Sequence, residues 1–385
     1  MVPESSLAAS PDPWIAEAAE RIAVRVDREL AALVGVSSPS GDFDGAEEAV
    51  AVVVAMLPDE AIVERIPCSS PGHADDLLAS VPGSGRARVL LLGHLDTVHG
   101  HGAHRPLEYD GERLYGSGSI DMKGGVAISL GVIRELVAVS DRFAEIALLL
   151  VNDEEWRRHP FAHGQRFAGF DACLCFEAGE LGAAGEEAVV VRRKAAATVR
   201  IEAAGRAAHS GSNPDDGRNA LLALGEIARR LAAFHDPHGE HRLTVVPTVL
   251  ESGSGFNVVP GSGELYLDLR ADDLEAIKPV LAAVPVELEE VRLHVEVVRR
   301  WPGMDMREAA AAPLARAGEL LGRPIQAGER GGASDASHLA GHVPLAIDGL
   351  GPLGAGAHAP DEHLIASSLR PRAEVAIALT SVLLD

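Results

Sequence analysis

The sequence predicts an α/β fold whose sheet gathers its functional groups at one end, interrupted by a smaller α+β domain. Three observations predict it. Continuous apolar runs at 89–92, 146–151 and 172–176 are the first, and the histidine or acidic residues that end each of them, Gly93-His94, Asn152-Asp153-Glu154-Glu155 and Glu177, are the second. A continuous apolar run reads as a strand covered on both faces, and in open α/β sheets ligands collect beyond the carboxyl ends of such strands. The third observation is a β-α-β-β-α-β order between residues 192 and 300, the split βαβ pattern of a ferredoxin-like sandwich.

At 385 residues the chain exceeds one ordinary core, so two domains are expected. The reading places 1–191 and 301–385 in one discontinuous domain and 192–300 in the inserted one. A formal net charge of -23 argues against a nucleic-acid partner, which needs a basic face. An anionic small substrate remains open, provided that local Arg, Lys or metal charge opposes the global field. Three cysteines, two of them at Cys173 and Cys175 on one strand, make no disulfide framework or zinc knuckle and read as core packing. Residues 1–13 are polar with no apolar signal region, and no apolar run is long enough to span a bilayer, so no membrane partner and a soluble cytoplasmic protein are expected.

Taken in order, Asp12-Pro13 predicts an N-cap opening an amphipathic helix through Trp14, Ile15, Ile22, Val24 and Leu30. Ser37-Ser38-Pro39-Ser40-Gly41 breaks it. A second helix, capped near Asp44, carries 49–57 and stops at Pro58. Strands are predicted at 62–66 and 77–81, with Pro82-Gly83-Ser84-Gly85 as the turn into the His94 strand. The stretch from Gly116 to Gly125 opens onto a helix at 126–137; it lacks a Walker lysine followed by Ser or Thr and does not directly follow a strand, which argues against a phosphate-cradling loop. The inserted domain reads as strands at 197–202, 243–250, 264–270 and 292–298, with helices at 217–231 and 272–281. After Pro302 come a helix at 314–321, a strand at 344–347 and a final helix ending near Leu384.

His94, Asp121, Glu155, Glu177 and His358 are the candidates for a metal site. Histidine and carboxylate donors without thiolates suit zinc, and less specifically cobalt or manganese. A carboxylate between two ions can bridge them, and ions about 3.5–4 Å apart lower the pKa of a shared water and polarise a carbonyl oxygen. His94-Leu95-Asp96 supplies a ligand with a carboxylate close by to fix its tautomer. Adjacent Glu154 and Glu155 offer one carboxylate for metal and one for proton transfer.

Gly93-His94-Leu95-Asp96-Thr97-Val98, Gly116-x-Gly118-x-x-Asp121-Met122-Lys123-Gly124-Gly125, Asp153-Glu154-Glu155 and Gly354-Ala355-Gly356-Ala357-His358 resemble, in that order, the signatures of the dinuclear zinc metallopeptidases. That family includes carboxypeptidase G, aminoacylase, acetylornithine deacetylase and succinyl-diaminopimelate desuccinylase. The resemblance covers nearly the whole chain. It implies two zinc ions per subunit, with cobalt or manganese as alternatives: His94 and Glu177 on one, Glu155 and His358 on the other, Asp121 bridging both through a residue whose bond to Met122 is cis. It further implies that Asp96 orients His94 and that Glu154 is the general base.

In the inserted domain, Gly205-Arg206-Ala207-Ala208-His209-Ser210-Gly211 resembles the family segment whose histidine reaches the partner subunit's site and holds the oxyanion, which implies a homodimer through a dimerisation (lid) domain. Asn257 and Arg270 resemble residues that grip a substrate carboxylate, with Lys194 assisting; Arg suits this because its planar fork meets a carboxylate twice. Gly331-Gly332-Ala333-Ser334-Asp335 and Asp348-Gly349-Leu350-Gly351 resemble the glutamate carboxypeptidase branch and are expected to offer backbone donors to the pocket.

One departure stands out. Where relatives carry a small Gly- and Ser-containing turn after Glu155, this chain has Trp156-Arg157-Arg158-His159-Pro160, which predicts a bulkier, more basic loop beside the cleft; His159 and His163 read as loop residues. The expected activity is cleavage of an amide bond next to an amino acid with a free carboxylate, on a small peptide. An N-acyl amino acid deacylase or desuccinylase is the alternative, and a metal-free binding protein on the same fold is the alternative from another class.

Overall fold

A computed structural model describes residues 12–385. The polar stretch read at 1–11 lies outside the described residues. The chain divides into two compact units. The first runs to Arg192 and resumes over Asp305–Glu329 and Ser334–Asp385; the second comprises Arg193–Met304 with Arg330–Ala333. The second unit thus extends past the 192–300 span read from the sequence and takes in Arg330–Ala333 from a distant segment.

The first unit is built on a six-stranded sheet in the order Ile62–Ile66, Asp76–Pro82, Phe143–Val151, Ala87–His94, Ala172–Cys175, Leu345–Ile347. The last four strands run parallel, and Asp76–Pro82 alone runs against them, antiparallel to both of its neighbours. The aliphatic runs at 89–92 and 146–151 are fully buried, which is why they alternate no polar residues. Helices Pro13–Gly35, Gly124–Val137, Arg307–Leu321 and Leu369–Leu384 share one core with this sheet. No helix among the described residues is long and apolar enough to cross a membrane.

Asp12 caps the first helix, its carboxylate accepting the Trp14 N–H at 2.9 Å. Val24, expected on the apolar face, is 71% exposed, because two residues from both Ile22 and Val26 is the helix face opposite the buried stripe through Ile22, Val26 and Leu30. The second helix, Phe43–Val54, is capped by Asp42 rather than Asp44, because Asp42 accepts the Gly45 N–H at 2.7 Å.

In the second unit the strands Thr244–Ser252, Ser262–Ala271, Ala195–Ala204 and Val291–Trp301 lie side by side in that order, all antiparallel. With helix Ala220–Ala232 over one face, this is the ferredoxin-like arrangement, around its own core of Val199, Ile201, Leu224, Ile227 and Leu267. The predicted helix at 272–281 shrinks to a 3-10 turn at Glu275–Ile277 and a helix at Lys278–Ala282. The Asp272 N–H is held by the His241 carbonyl at 3.0 Å, and Asp273 caps Ala276 N at 3.0 Å, so helical geometry begins only after them. Where the chain returns to the first unit, Met306 N donates to the carbonyl of Val191 at 2.8 Å.

Gly125, at the start of helix Gly124–Val137, lies against the strand end that leads to Glu177. A Cβ there would sit 1.7 Å from the Phe176 carbonyl oxygen, backbone that has no room to yield. Gly125→Ala is therefore expected to lose about 3 kcal/mol of stability. Urea unfolding followed by circular dichroism checks this, and an unchanged midpoint would refute the close packing.

Candidate metal centre

The parallel strands deliver their last residues to a common edge. His94 pairs with Val151 and Leu92 with Cys175 in the ladder, and Leu95 N–H continues it to the Val151 carbonyl at 2.9 Å. His94, the Asn152–Glu155 turn and Glu177 therefore emerge at the same level. Asp121 arrives from the turn Ser119–Lys123, entered through Gly118 at φ 73°, and its bond to Met122 is cis, as the resemblance implies. His358 comes from the loop after Gly356 and sits in the left-handed region at φ 66°.

Asp121 joins the two halves of the cluster. Its Oδ1 lies 3.2 Å from His94 Nε2, and its Oδ2 lies 3.1 Å from His358 Nε2. Glu177 Oε1 stands 3.7 Å from His94 Nε2, and Glu155 Oε2 stands 3.0 Å from His358 Nε2. The five candidates thus fall into two trios that share one carboxylate. Ligand atoms bound about 2.0–2.2 Å from one tetrahedral ion are themselves about 3.3 Å apart, so these separations suit a cation in each trio.

Two further observations test that fit. Glu155 Oε1 is buried with no hydrogen-bond partner, an acceptor in want of a positive group. His94, Asp121 and Glu155 each offer a ligand atom, all within 4.8 Å of one another. Three carboxylates with two imidazoles, which would give up their protons to a metal, form a hard, anionic donor set of the kind divalent cations require.

The electrostatics follow from burial and crowding. Burial alone would raise the Asp121 carboxyl, but hydrogen bonds from His358 and His94 outweigh it and hold the group well below its usual range. Burial would strip the proton from His94, yet Asp121 and Asp96 raise it well above the usual histidine range. His358, half-exposed, is raised to about 10 by Asp121 and Glu155. Burial raises Glu154 well above an ordinary glutamate against the pull of His94, with Asp335, Glu155 and Glu177 adding to the rise.

Asp96 has a wider role than the tautomer-fixing expected of it. His94 Nδ1 meets the Asp96 carbonyl at 3.0 Å and its carboxylate only at 3.4 Å. The two carboxylate oxygens accept the amide N–H groups of Glu154 and Glu155, each at 3.1 Å. Asp96 thereby fixes the backbone from which both glutamates project.

Glu362 was not singled out from the sequence. Its buried carboxylate accepts N–H groups from Gly118 at 2.8 Å, Ile120 at 3.0 Å and Asp121 at 3.1 Å, and meets His99 Nε2 at 3.3 Å. It pins the turn that carries Asp121, four residues after His358 in the same loop. Lys123 plays a similar part: its fully buried ammonium donates to the Val36 carbonyl at 2.7 Å, and burial pushes its pKa down to about 8. His163, read as a loop residue, is in a loop but buried, with Nε2 2.7 Å from Asp76 Oδ2. Arg157 faces inward rather than widening a basic surface, while Trp156 is exposed.

The sequence matches Peptidase family M20/M25/M40 over residues 90–381. The chain belongs to that family. Its members are metal-dependent hydrolases, and this protein is a metallopeptidase or amidohydrolase of the M20 type. Carboxypeptidase G2 of Pseudomonas sp. (strain RS-16) is 28% identical over 388 residues, covering 96% of this chain and 91% of its own. A succinyl-diaminopimelate desuccinylase of Rhodospirillum centenum (strain ATCC 51521 / SW) is 29% identical over 331 residues, covering 79% and 84%. Among solved structures, an M20 family metallo-carboxypeptidase from Sulfolobus solfataricus superimposes with a TM-score of 0.72 at 15% identity, covering 93% of this chain and 99% of that one. The aminopeptidase PepT of Bacillus cereus ATCC 10987 gives 0.73 at 21% identity, covering 94% and 99%.

The other candidates of this M20 chain lie in the second unit. His209 Nδ1 accepts N–H groups from Gly211 and Ser212, both at 3.1 Å, which leaves the ring proton on Nε2. His209 pairs with Val258 in a short ladder, and Ser210 N–H donates to the Asn257 carbonyl at 2.9 Å, so His209 and exposed Asn257 are neighbours. Arg270 directs Nε to Asp268 Oδ1 at 2.9 Å and Nη1 to the Gly331 carbonyl at 2.8 Å, an ion pair along its own strand. Lys194 Nζ donates to the Arg242 carbonyl at 2.6 Å. The Gly331-Gly332 segment gives its carbonyls to Arg270 and Arg193.

Since His94 and His358 hold protons at neutral pH in the metal-free protein, a divalent cation must displace them. Titration calorimetry with zinc at pH 7 in buffers of different ionisation enthalpy should show release of about one proton per histidine ligand. Affinity should climb as pH rises toward the His358 value of about 10, because fewer protons remain to be displaced. A heat independent of buffer would contradict the protonated resting state.

Proposed function

We propose that this M20 hydrolase is a metallocarboxypeptidase that removes an amino acid with a free α-carboxylate, glutamate among them, from a small peptide. The observation that carries the reading is Asp121 set between His94 and His358, with Glu177 and Glu155 completing two donor trios. Zinc is the metal that this donor set favours, two ions per subunit, with cobalt or manganese as competent replacements. Cations held there would lower the pKa of a water and polarise the scissile carbonyl.

The protein's own groups divide the remaining work. Glu154, as the carboxylate that cations bound beside it would favour against the burial that raises its pKa, takes the proton of the attacking water and passes it to the leaving amine. Asp96 holds the Glu154 amide in place throughout. His209, with its proton on Nε2, is a donor suited to the tetrahedral oxyanion. Arg270 has guanidinium donors beyond those given to Asp268 and Gly331, and Asn257 an exposed amide, for the substrate carboxylate. Lys194, whose ammonium also serves the Arg242 carbonyl, assists them. The edge strand Thr244–Ser252 exposes Val246, Val249 and Leu250 beside unpaired backbone, a surface suited to a homodimer through the second unit. Cys68, Cys173 and Cys175, none of them in a disulfide, fit the reducing cytoplasm.

The test is hydrolysis of dipeptides and N-acyl amino acids by zinc-reconstituted protein. Peptide cleavage that outpaces deacylation is expected; the opposite preference would move the protein to the deacylase or desuccinylase group. Glu154→Gln should cut kcat by about 10²–10⁴-fold while metal content is retained. Undiminished turnover would remove Glu154 as the base, and protein purified without chelator that holds no divalent ion would favour a binding role. Arg270→Ala should raise KM roughly 10-fold or more for substrates with a free carboxylate and leave their amides unaffected.

A further inference from the structure

Arg157, in the loop that follows Glu155, is fully buried. Its Nε and Nη2 donate to Asp153 Oδ1 at 2.9 and 2.6 Å, closing the 153–157 turn on itself. Its Nη2 also donates to Asp335 Oδ2 at 2.9 Å, and Nη1 to Asp335 Oδ1. Asp335 opens helix Asp335–Leu339, a segment remote in sequence. The guanidinium carbon lies 5.0 Å from the ring centre of Phe161, which stacks at 5.2 Å on His338 of that same helix.

From this geometry we infer that Arg157 is a positioning residue for Glu154 and Glu155, clamping the turn that bears them to helix Asp335–Leu339. The inference rests on the roles proposed above for those two glutamates. Asp153 precedes the pair and Arg157 follows two residues later, so the ion pair fixes both ends of the turn, while Asp96 fixes the two amides in its middle. The carboxylates keep only their side-chain torsions as freedom. A planar fork is needed because one guanidinium serves two carboxylates at once; an ammonium in its place cannot span both. The neighbours of Arg157 in the chain, Trp156 and Arg158, are exposed, so the inward turn of this one side chain is a local choice and not general burial of the loop.

The experiment uses full-length protein with Arg157→Lys, Arg157→Met and Asp335→Asn. Kinetics are measured at saturating zinc on a peptide that the parent hydrolyses, and zinc affinity by competition with a chromophoric chelator. Arg157→Lys and Asp335→Asn are each expected to lower kcat by about 10–100-fold with little change in KM, and to weaken zinc binding over a similar range. If Arg157→Met does not fold, Asp335→Asn decides, since it keeps the guanidinium and its bonds to Asp153. Values of kcat and zinc affinity within about twofold of the parent in both Arg157→Lys and Asp335→Asn, with only the melting temperature lowered, would overturn the inference. A parent protein that hydrolyses no substrate of the panel sinks the proposed activity instead, and the chelator competition still decides the clamp.

Discussion

Asp121 is caught between two imidazoles, one on each of its oxygens, at 3.2 Å from His94 and 3.1 Å from His358. Each histidine reaches it from a different part of the chain, one from the end of a buried parallel strand and one from a loop more than 200 residues later. The carboxylate thus defines where distant segments must meet. Around it stand Asp96, Glu154, Glu155 and Glu177, a density of negative charge that burial makes costly. Without cations, imidazole protons supply the balancing charge, which is why both histidines are more basic than usual.

Such a cluster holds its shape only if its supports are rigid. Glu362 grips three amides of the Asp121 turn, Asp96 two amides of the glutamate turn, and Lys123 ties the segment after Asp121 to the carbonyl of Val36. Each support is a charged side chain satisfied by backbone groups, a pairing that strengthens as water is excluded. The sheet beneath contributes by register: strands that are parallel and in step bring their last residues out together.

Much of this was legible in the chain. Strands that carry apolar residues continuously, such as 89–92 and 146–151, announce burial on both faces, and their polar ends announce a site. The ferredoxin-like order was legible because its elements alternate cleanly; the helix at 272–281 was overestimated because a bond from Asp272 to a distant carbonyl leaves no mark on sequence. His358 alone would have looked like an exposed loop histidine, and only its motif gave it weight. Glu362 and Arg157 resemble solvated surface charges in a polar loop. What makes them internal is the convergence of amides or carboxylates from elsewhere, a tertiary fact that periodicity does not encode.

The hydrogen bond from Met306 to Val191 has a consequence for how such a chain can change over evolutionary time. The excursion that begins after Arg192 ends where it started, so its two stems meet side by side. A module joined in this way can be exchanged, shortened or lost by splicing neighbouring points, with the strand order of the host sheet untouched. The cation-gripping groups can stay constant in the host while the guest, which carries His209, Asn257 and Arg270, diversifies, a modular route to new substrates.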